Sequence, residues 1–367
     1  MHFLLPYLFL LSFAEIEIFS VPNVEMETEE EVIFYTSYGY LDDEEWVIPL
    51  RIYVQENRSR VANLSLRVVN RIRGLNEEES ALFSYRISDF VADSESRETV
   101  KFIFDNDPDR QTFYLNEDGS PVETNLNGFK VGEIRLSIEK ADVLLKKQNS
   151  ENGWLVFRAV SDEHSGIGRV RLIEQEGLSV ISDIDDTVKI SQIPAGSRVV
   201  IRNTFFKEYK PAPRMANLYS NWDNAAFHYV SGSPWQLYRP LKNFLFSDNA
   251  GFPEGSMHMK QVTKNLLSIN TWRGLNDLIT NENVTYNQKI DQISRIFQHF
   301  PDREFILVGD SGERDPEVYR EIARRYPDQI SNIIIRDVIN DRENRPDRLE
   351  GMEIIPAPTI QPGVFNP

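Results

Sequence analysis

Apolar and polar positions change period about halfway along the chain. Between residues 25 and 175, short runs alternate the two classes: Val32–Tyr35, Trp46–Val54, Asn63–Val69, Ser84–Val91, Thr99–Phe104, Gln111–Leu115, Gly132–Ile138 and Trp154–Val160. A period of two is what a strand with one buried face produces. Asp-Gly at 118–119 and Asn-Gly at 127–128 and 152–153 supply tight-turn residues between the runs. Many short strands at this spacing predict a β-sandwich-like domain over 25–175. The acidic run Glu25–Glu31 ahead of it reads as a solvated linker.

Beyond residue 175 the pattern alternates strand with helix. Leu178–Ile181, Phe227–Val230, Phe305–Val308 and Ile330–Arg336 are short apolar strands. Between them, Ile290, Ile293, Phe297 and Phe300 share one face of a helix over Asn287–Phe300, and Val318, Ile322 and Tyr326 share one over Glu317–Tyr326. Asp315-Pro316 predicts the start of that second helix, with Asp315 as its cap. Such alternation implies a parallel sheet with helices on its faces. The expected fold class is therefore α+β in two domains: the β-sandwich-like one, then a Rossmann-like α/β domain over 176–355, with a tail over 356–367.

Composition narrows the chemistry. The 367 residues fit two domains. A net charge of −17 argues against a nucleic-acid partner and against unspecific attraction to anionic membranes. With no cysteine, disulfides, thiolate zinc sites and cysteine nucleophiles are excluded. The apolar run Phe3–Phe13, with Ser12 and Ala14 at the cleavage-site spacing, predicts a secretory signal peptide over 1–20, although its flank lacks Lys and Arg. Sequons at Asn57, Asn63 and Asn283 fit a secreted chain but are common by chance.

Four short motifs stand at the ends of the predicted α/β strands or beside them. Ser182-Asp183-Ile184-Asp185-Asp186-Thr187 places carboxylates at a strand end, where open α/β sheets bind ligands. Clustered carboxylates repel, and a hard divalent cation such as magnesium would offset that repulsion. Gly309-Asp310-Ser311-Gly312-Glu313-Arg314-Asp315 brings a further acid to the same edge. In Tyr229–Gln236 a strand runs into a turn where Ser233, Pro234 and Gln236 read as a helix start, leaving backbone N–H groups and the Ser231 hydroxyl for an anion. Lys289 sits near the start of the helix before the third strand. Each motif alone also reads as an ordinary turn or a solvated residue; their order along the chain is the stronger signal.

That order resembles the haloacid-dehalogenase (HAD) superfamily. The stretches SDIDDTVKIS (182–191), MANLY (215–219), FHYVSGSPWQLY (227–238), ILVGDSGERDPEVY (306–319) and IIIRDV (333–338) are similar to the catalytic domain of the actin-patch-associated phosphatidate phosphatases of fungi and their bacterial and animal relatives. The resemblance covers about residues 175–340. It implies Asp183 as nucleophile and Asp185 as general acid/base. It also implies phosphate binding by Ser231, Gly232 and Lys289, and magnesium held by Asp183, Asp185 and Asp310. Thr187 and Asp315 would support the loop, Thr187 through local hydrogen bonds. The implied activity is magnesium-dependent hydrolysis of phosphatidate through an aspartyl-phosphate. A phosphatase of soluble esters and a secreted binding protein with a vestigial site are the alternatives. The fungal members are cytosolic, which the leader-like N-terminus does not match. Two insertions, 189–224 and 247–286, would shape specificity. The first mixes Arg198, Arg202, Lys207, Lys210 and Arg214 with Phe205, Phe206 and Tyr209, which suits either transient contact with a lipid surface or a packed cap with a charged face.

Overall fold

The computed structural model describes residues 30–56, 75–92, 94–117, 120–161, 163–222, 224–261 and 282–361. The predicted leader, the strand at 63–69, the Asp-Gly turn at 118–119, the sequons at 57 and 63 and part of the second insertion lie outside these residues.

Eleven strands among the described residues form the first sheet: β1 (Glu30–Phe34), β2 (Ser37–Asp42), β3 (Glu45–Glu56), β4 (Lys101–Phe104), β5 (Phe113–Tyr114), β6 (Asn116–Glu117), β7 (Ser120–Pro121), β8 (Phe129–Ser137), β9 (Trp154–Ala159), β10 (His164–Ser165) and β11 (Ile167–Leu172). They run in the order β5-β4-β9-β11-β2-β3-β8-β6-β7, and β1 bridges β3 and β10. Inward-facing Val32, Phe34, Trp46, Ile48, Phe102, Phe157 and Val170 build one core.

One sequence expectation fails here. Ser84–Val91 is not a strand but the second half of a helix, Glu77–Val91. Asn76 caps it: Asn76 Oδ1 accepts the Glu79 N–H at 2.8 Å, and Glu79 Oε2 accepts the Asn76 N–H at 3.3 Å. This is a reciprocal capping box. Phe83, Ile87 and Phe90 then fall on one helical face and pack on Phe205 and Phe206, with Phe83 and Phe206 stacked at 4.9 Å. These contacts also bury the aromatic residues of the first insertion, so Phe205 and Phe206 are core rather than surface.

The second sheet contains β12 (Gly177–Ser182), β13 (Ala226–Pro234), β14 (Ser256–Lys260), β15 (Arg303–Asp310), β16 (Ile330–Asp337) and β17 (Glu353–Pro356). Its order is β14-β13-β12-β15-β16-β17, and every pairing is parallel. Parallel strands are covered on both faces, which is why they read as continuous apolar runs. Val180, Ile306 and Val308 face one core; Ile181, Phe305 and Leu307 face the other. The helices Glu282–His299 and Asp315–Arg325 cover the latter with Ile290, Ile293, Phe297, Val318 and Ile322. Because β13 and β14 lie to one side of β12, and β15 to β17 to the other, the strand order reverses at β12. The carboxyl ends beside that reversal form a crevice.

The two sheets share a polar aromatic seam. Tyr38 of β2 packs against His228, His258 and His299 at ring separations of 5.3, 5.8 and 5.8 Å. Its hydroxyl lies 2.9 Å from His299 Nδ1, and Ser256 Oγ lies 2.8 Å from both His228 Nδ1 and His258 Nε2. Burial, then the charges of Arg303 and Arg171, push His228 down to about 3. Burial, then Arg295, pushes His299 down to about 4, and burial likewise depresses His258. These imidazoles are neutral in the fold, whereas the unfolded chain protonates them below about pH 6.5. Their stabilisation is therefore present above that pH and is lost as pH falls toward the folded values. Each such group steepens the slope by up to about 1.4 kcal/mol per pH unit. Urea unfolding between pH 6.5 and 4.5 should show stability falling with acid, and His228→Phe should flatten that dependence; an unchanged slope refutes the assignment.

Candidate active site

β12 and β15 end side by side. The Asp183 N–H still donates to Val308 O at 2.9 Å, so Asp183 leaves the sheet with its position set by the ladder. Asp310 is the last residue of β15. Carboxylate oxygens of Asp183, Asp310 and Glu313 all lie within 4.8 Å of one another. Asp183 and Asp310 are buried, and one oxygen of each, Oδ2, has no hydrogen-bond partner. The loop after β15 is tight because it must be: a Cβ on Gly309 would stand 2.6 Å from Asp315 Oδ2, and one on Gly312 2.9 Å from Asp310 Oδ1. Instead the Gly312 N–H donates to Asp310 Oδ1 at 2.6 Å.

Lys289, on the helix Glu282–His299, supplies the balancing charge. Its Nζ donates to Asp183 Oδ1 at 2.8 Å and to Asp315 Oδ1 at 2.6 Å, and lies 3.5 Å from Glu313 Oε2. Burial alone would lower this ammonium's pKa, but Asp183, Asp315 and Glu313 together raise it well above the usual value. One lysine does not balance four acids. Burial, and then the neighbouring carboxylates, push Asp310 well above the ordinary range. Burial pushes Asp183 up as well, against the pull of Lys289. Glu313 rises to about 7, chiefly through burial, with Lys289 opposing.

Asp185 has different surroundings. Burial would raise its pKa, yet the Lys189 ammonium at 2.7 Å and donated hydrogen bonds bring it down to about 2. Ser191 Oγ donates at 2.5 Å, Ser233 Oγ at 2.7 Å and Ser231 Oγ at 3.3 Å. Lys189 also donates to Ser191. Asp186, at φ 55°, closes the loop by accepting the N–H groups of Ser191, Gln192 and Ile193 at 2.9, 2.7 and 2.6 Å. Arg336 donates to the Asp186 carbonyl at 2.7 Å.

Of the residues singled out from sequence, Asp183, Asp310, Lys289 and Asp315 meet directly, and Ser231 joins Asp185 beside them. Gly232 leaves no room for a side chain, since a Cβ would stand 2.6 Å from Thr285 Cγ2. Three expectations change. Thr187 Oγ1 is buried without a hydrogen-bond partner, and Asp186 holds the turn instead. Asp315 does not cap its helix; its two oxygens take Lys289 and the Asp310 N–H. Ser233 does not cap either, because β13 runs on to Pro234 and its hydroxyl turns to Asp185. Sequence reasoning missed Glu313, Lys189, Ser191 and Ser233 as members of the site. All four lie inside the motif stretches, but only the folded loops show which way they point. A cavity of about 560 Å³ opens beside Lys289, Glu313 and Asp315, and is also lined by Tyr286, Val200 and Arg348.

Residues 178–337 match the family described as phosphatidate phosphatase APP1, catalytic domain. Phosphatidate phosphatase APP1 of Saccharomyces cerevisiae is 34% identical over 175 residues, which are 46% of this chain and 27% of that protein. An uncharacterised protein of Schizosaccharomyces pombe is 27% identical over 278 residues, 73% of this chain and 39% of that one. The chain thus spans less than half the length of either curated relative. Among solved structures, a GH2 β-galacturonidase of Eisenbergiella tayi bound to galacturonate covers 84% of this chain and 46% of its own at 8% identity, with a TM-score of 0.27. A likeness that weak carries no argument.

The electrostatics predict opposite stability effects for two site variants in chelator. Lys289→Met leaves Asp183 and Asp315 buried without their cation and should destabilise by about 3–5 kcal/mol. Asp310→Asn removes a charge whose carboxylate neighbours repel it and should stabilise by about 1 kcal/mol. Urea unfolding at neutral pH measures both, and equal signs would count against this charge balance.

Proposed function

We propose that the protein, whose residues 178–337 match the phosphatidate phosphatase APP1 catalytic domain, hydrolyses phosphate monoesters, with phosphatidate as its substrate and diacylglycerol and phosphate as products. The observation that carries this reading is the convergence of Asp183, Asp310 and Lys289 on one buried point. We assign the α/β domain to the haloacid-dehalogenase type on the same ground.

The donor set fits magnesium. It consists of oxygens, and two of them are buried carboxylate atoms that no group of the protein satisfies. Asp183, Asp310 and Glu313 would hold the ion, and the family resemblance adds the main-chain carbonyl of Asp185. When bound, magnesium supplies positive charge to the phosphoryl oxygens.

The protein's own residues account for the remaining steps. Asp183 attacks phosphorus, the bond from phosphorus to the ester oxygen breaks, and an aspartyl-phosphate remains on Asp183. Lys289 orients the Asp183 carboxylate and takes up phosphoryl charge, helped by Ser231 and the backbone at Gly232. Water then cleaves the acyl phosphate, giving its proton to Asp185 and restoring Asp183. With Lys189 holding it ionised, Asp185 is set in this arrangement as a proton acceptor. To protonate the departing alkoxide in the first step, it must first part from Lys189 and take up a proton from solvent; the proton it later accepts from the attacking water restores that acid form for the next turnover. The cavity beside Lys289 has mixed walls, with Ile193, Val200 and Val318 for the apolar part of a substrate and Arg314, Arg345 and Arg348 for its charge, alongside the acids Glu313, Asp315 and Glu317.

Asp183→Asn should abolish turnover with the fold intact, and Asp185→Asn should cost about 10²–10⁴-fold. Chelation should stop the reaction and magnesium restore it; retained activity in either test removes the corresponding role. Phosphatidate in mixed micelles should give a higher kcat/KM than p-nitrophenyl phosphate or soluble sugar phosphates. The reverse ranking transfers the assignment to soluble esters, and no turnover with any of them overturns it.

A further inference from the structure

Away from this crevice, a second set of metal-type donors meets at the edge of the first sheet. His164 of β10, Glu30 of β1 and Glu98 from the segment ahead of β4 each present one ligand atom, and all three atoms lie within 4.8 Å of one another. Parallel pairing of β1 with β10 sets Glu30 directly opposite His164. Glu98 is fixed by exchange with Thr124, whose Oγ1 accepts the Glu98 N–H and whose N–H donates to the Glu98 carbonyl, both at 3.0 Å. The three side chains thus come from separate stretches of chain, each held by its own backbone bonds.

The imidazole is the decisive member. His164 is 4% exposed. Its Nε2 lies 2.9 Å from Glu30 Oε2 and 3.3 Å from Glu98 Oε2. Yet Nε2 makes no contact with hydrogen-bond geometry, so both oxygens flank the ring nitrogen off its axis. Ligands on one ion at about 2.0–2.2 Å stand roughly 3.0–3.6 Å apart and off each other's bonding axes, as these atoms do. A carboxylate accepting from the ring N–H would lie on the axis instead. The other ring nitrogen is already engaged: Ser161 Oγ lies 3.0 Å from Nδ1 and also accepts the His164 backbone N–H at 2.9 Å. In the tautomer that carries the proton on Nδ1, donated to Ser161, Nε2 keeps a lone pair beside the two carboxylates, the arrangement found around metal-bound histidines.

We propose that Glu30, Glu98 and His164 form a second divalent-cation site, separate from the aspartate cluster and independent of the phosphatase reading. One imidazole and two carboxylates suit zinc, which takes mixed nitrogen and oxygen ligands, better than magnesium, which prefers oxygen alone. The ion would clamp β1 to β10 and to the segment before β4, where the described part of the first sheet begins. Its role is structural, since its three ligands come from three segments of chain that meet at the sheet edge.

The test uses the full chain carrying Asp183→Asn, Asp310→Asn and Glu313→Gln, which removes the three carboxylates of the competing cluster. After chelator treatment it is dialysed against zinc in millimolar magnesium, and bound metal is counted by mass spectrometry. One zinc per chain should be retained, and zinc should raise the thermal midpoint. Adding His164→Gln or Glu98→Gln should weaken zinc binding at least about 10-fold and abolish the thermal shift. Glu98 is partly exposed, so its glutamine variant decides the matter if the buried His164→Gln fails to fold. Should the histidine be only an ion-pair partner of the two glutamates, no zinc is retained. That result overturns the site, as does zinc retained equally by both variants.

Discussion

The second half of this protein is organised around an excess of buried negative charge. Asp183, Asp310, Glu313 and Asp315 crowd the carboxyl ends of β12 and β15, and Lys289 is their shared cation. Taken out of water, such a set repels itself strongly, and an unsatisfied buried carboxylate is costly. The fold tolerates it because the backbone leaves no alternative: the strand ladder sets Asp183, and glycines at 309 and 312 let the loop close around Asp310. What remains is a site with two unsatisfied carboxylate oxygens and an excess of negative charge, the surroundings a cation would relieve.

The neighbouring acidic pair shows how little separation is needed to give carboxylates different work. Asp185 is two residues from Asp183 and equally enclosed, but it has Lys189, Ser191 and Ser233 to itself and is held ionised. Asp186 is spent on three backbone N–H groups and so fixes the loop that carries the other two. Three adjacent acids thus divide into a charge-strained one, a charge-satisfied one and a structural one. Local partners decide which is which, as opposed environments do for paired carboxylates in general.

The rest of the molecule bears on this crevice through packing. The apolar cluster that covers one face of the parallel sheet includes Ile33, Tyr35 and Tyr53 of the first sheet. Tyr35 donates to the Trp235 carbonyl at 3.3 Å, and Tyr238 Oη accepts the Thr36 N–H at 2.8 Å, just after the Ser231–Ser233 end of β13. The histidine seam around Tyr38 joins the same two sheets on the opposite face. The β-rich half therefore packs directly behind the end of β13 whose serines donate to Asp185.

Much of this was legible in the residues themselves. Apolar runs such as LSVIS and FILV announce strands covered on both faces, and the acids directly after them must emerge at one edge of a parallel sheet. That is a consequence of chain direction, so Asp183 and Asp310 could be placed at one edge from the pattern, whereas Lys289, a single lysine on an amphipathic helix, was singled out by the family resemblance. Other features depend on contacts between segments distant in sequence. The stretch 84–91 alternates well enough to pass for a strand; a capping box eight residues upstream and the rings of Phe205 and Phe206 make it helix. Ser233 and Asp315 have the local form of caps, but Asp185 and Lys289, 48 and 26 residues away, are stronger partners for them than a helix end. Periodicity reports which face of an element is buried, and chain order reports where strand ends meet. Which polar atom answers which is settled only when burial removes water as the competing partner, and that happens in the tertiary structure.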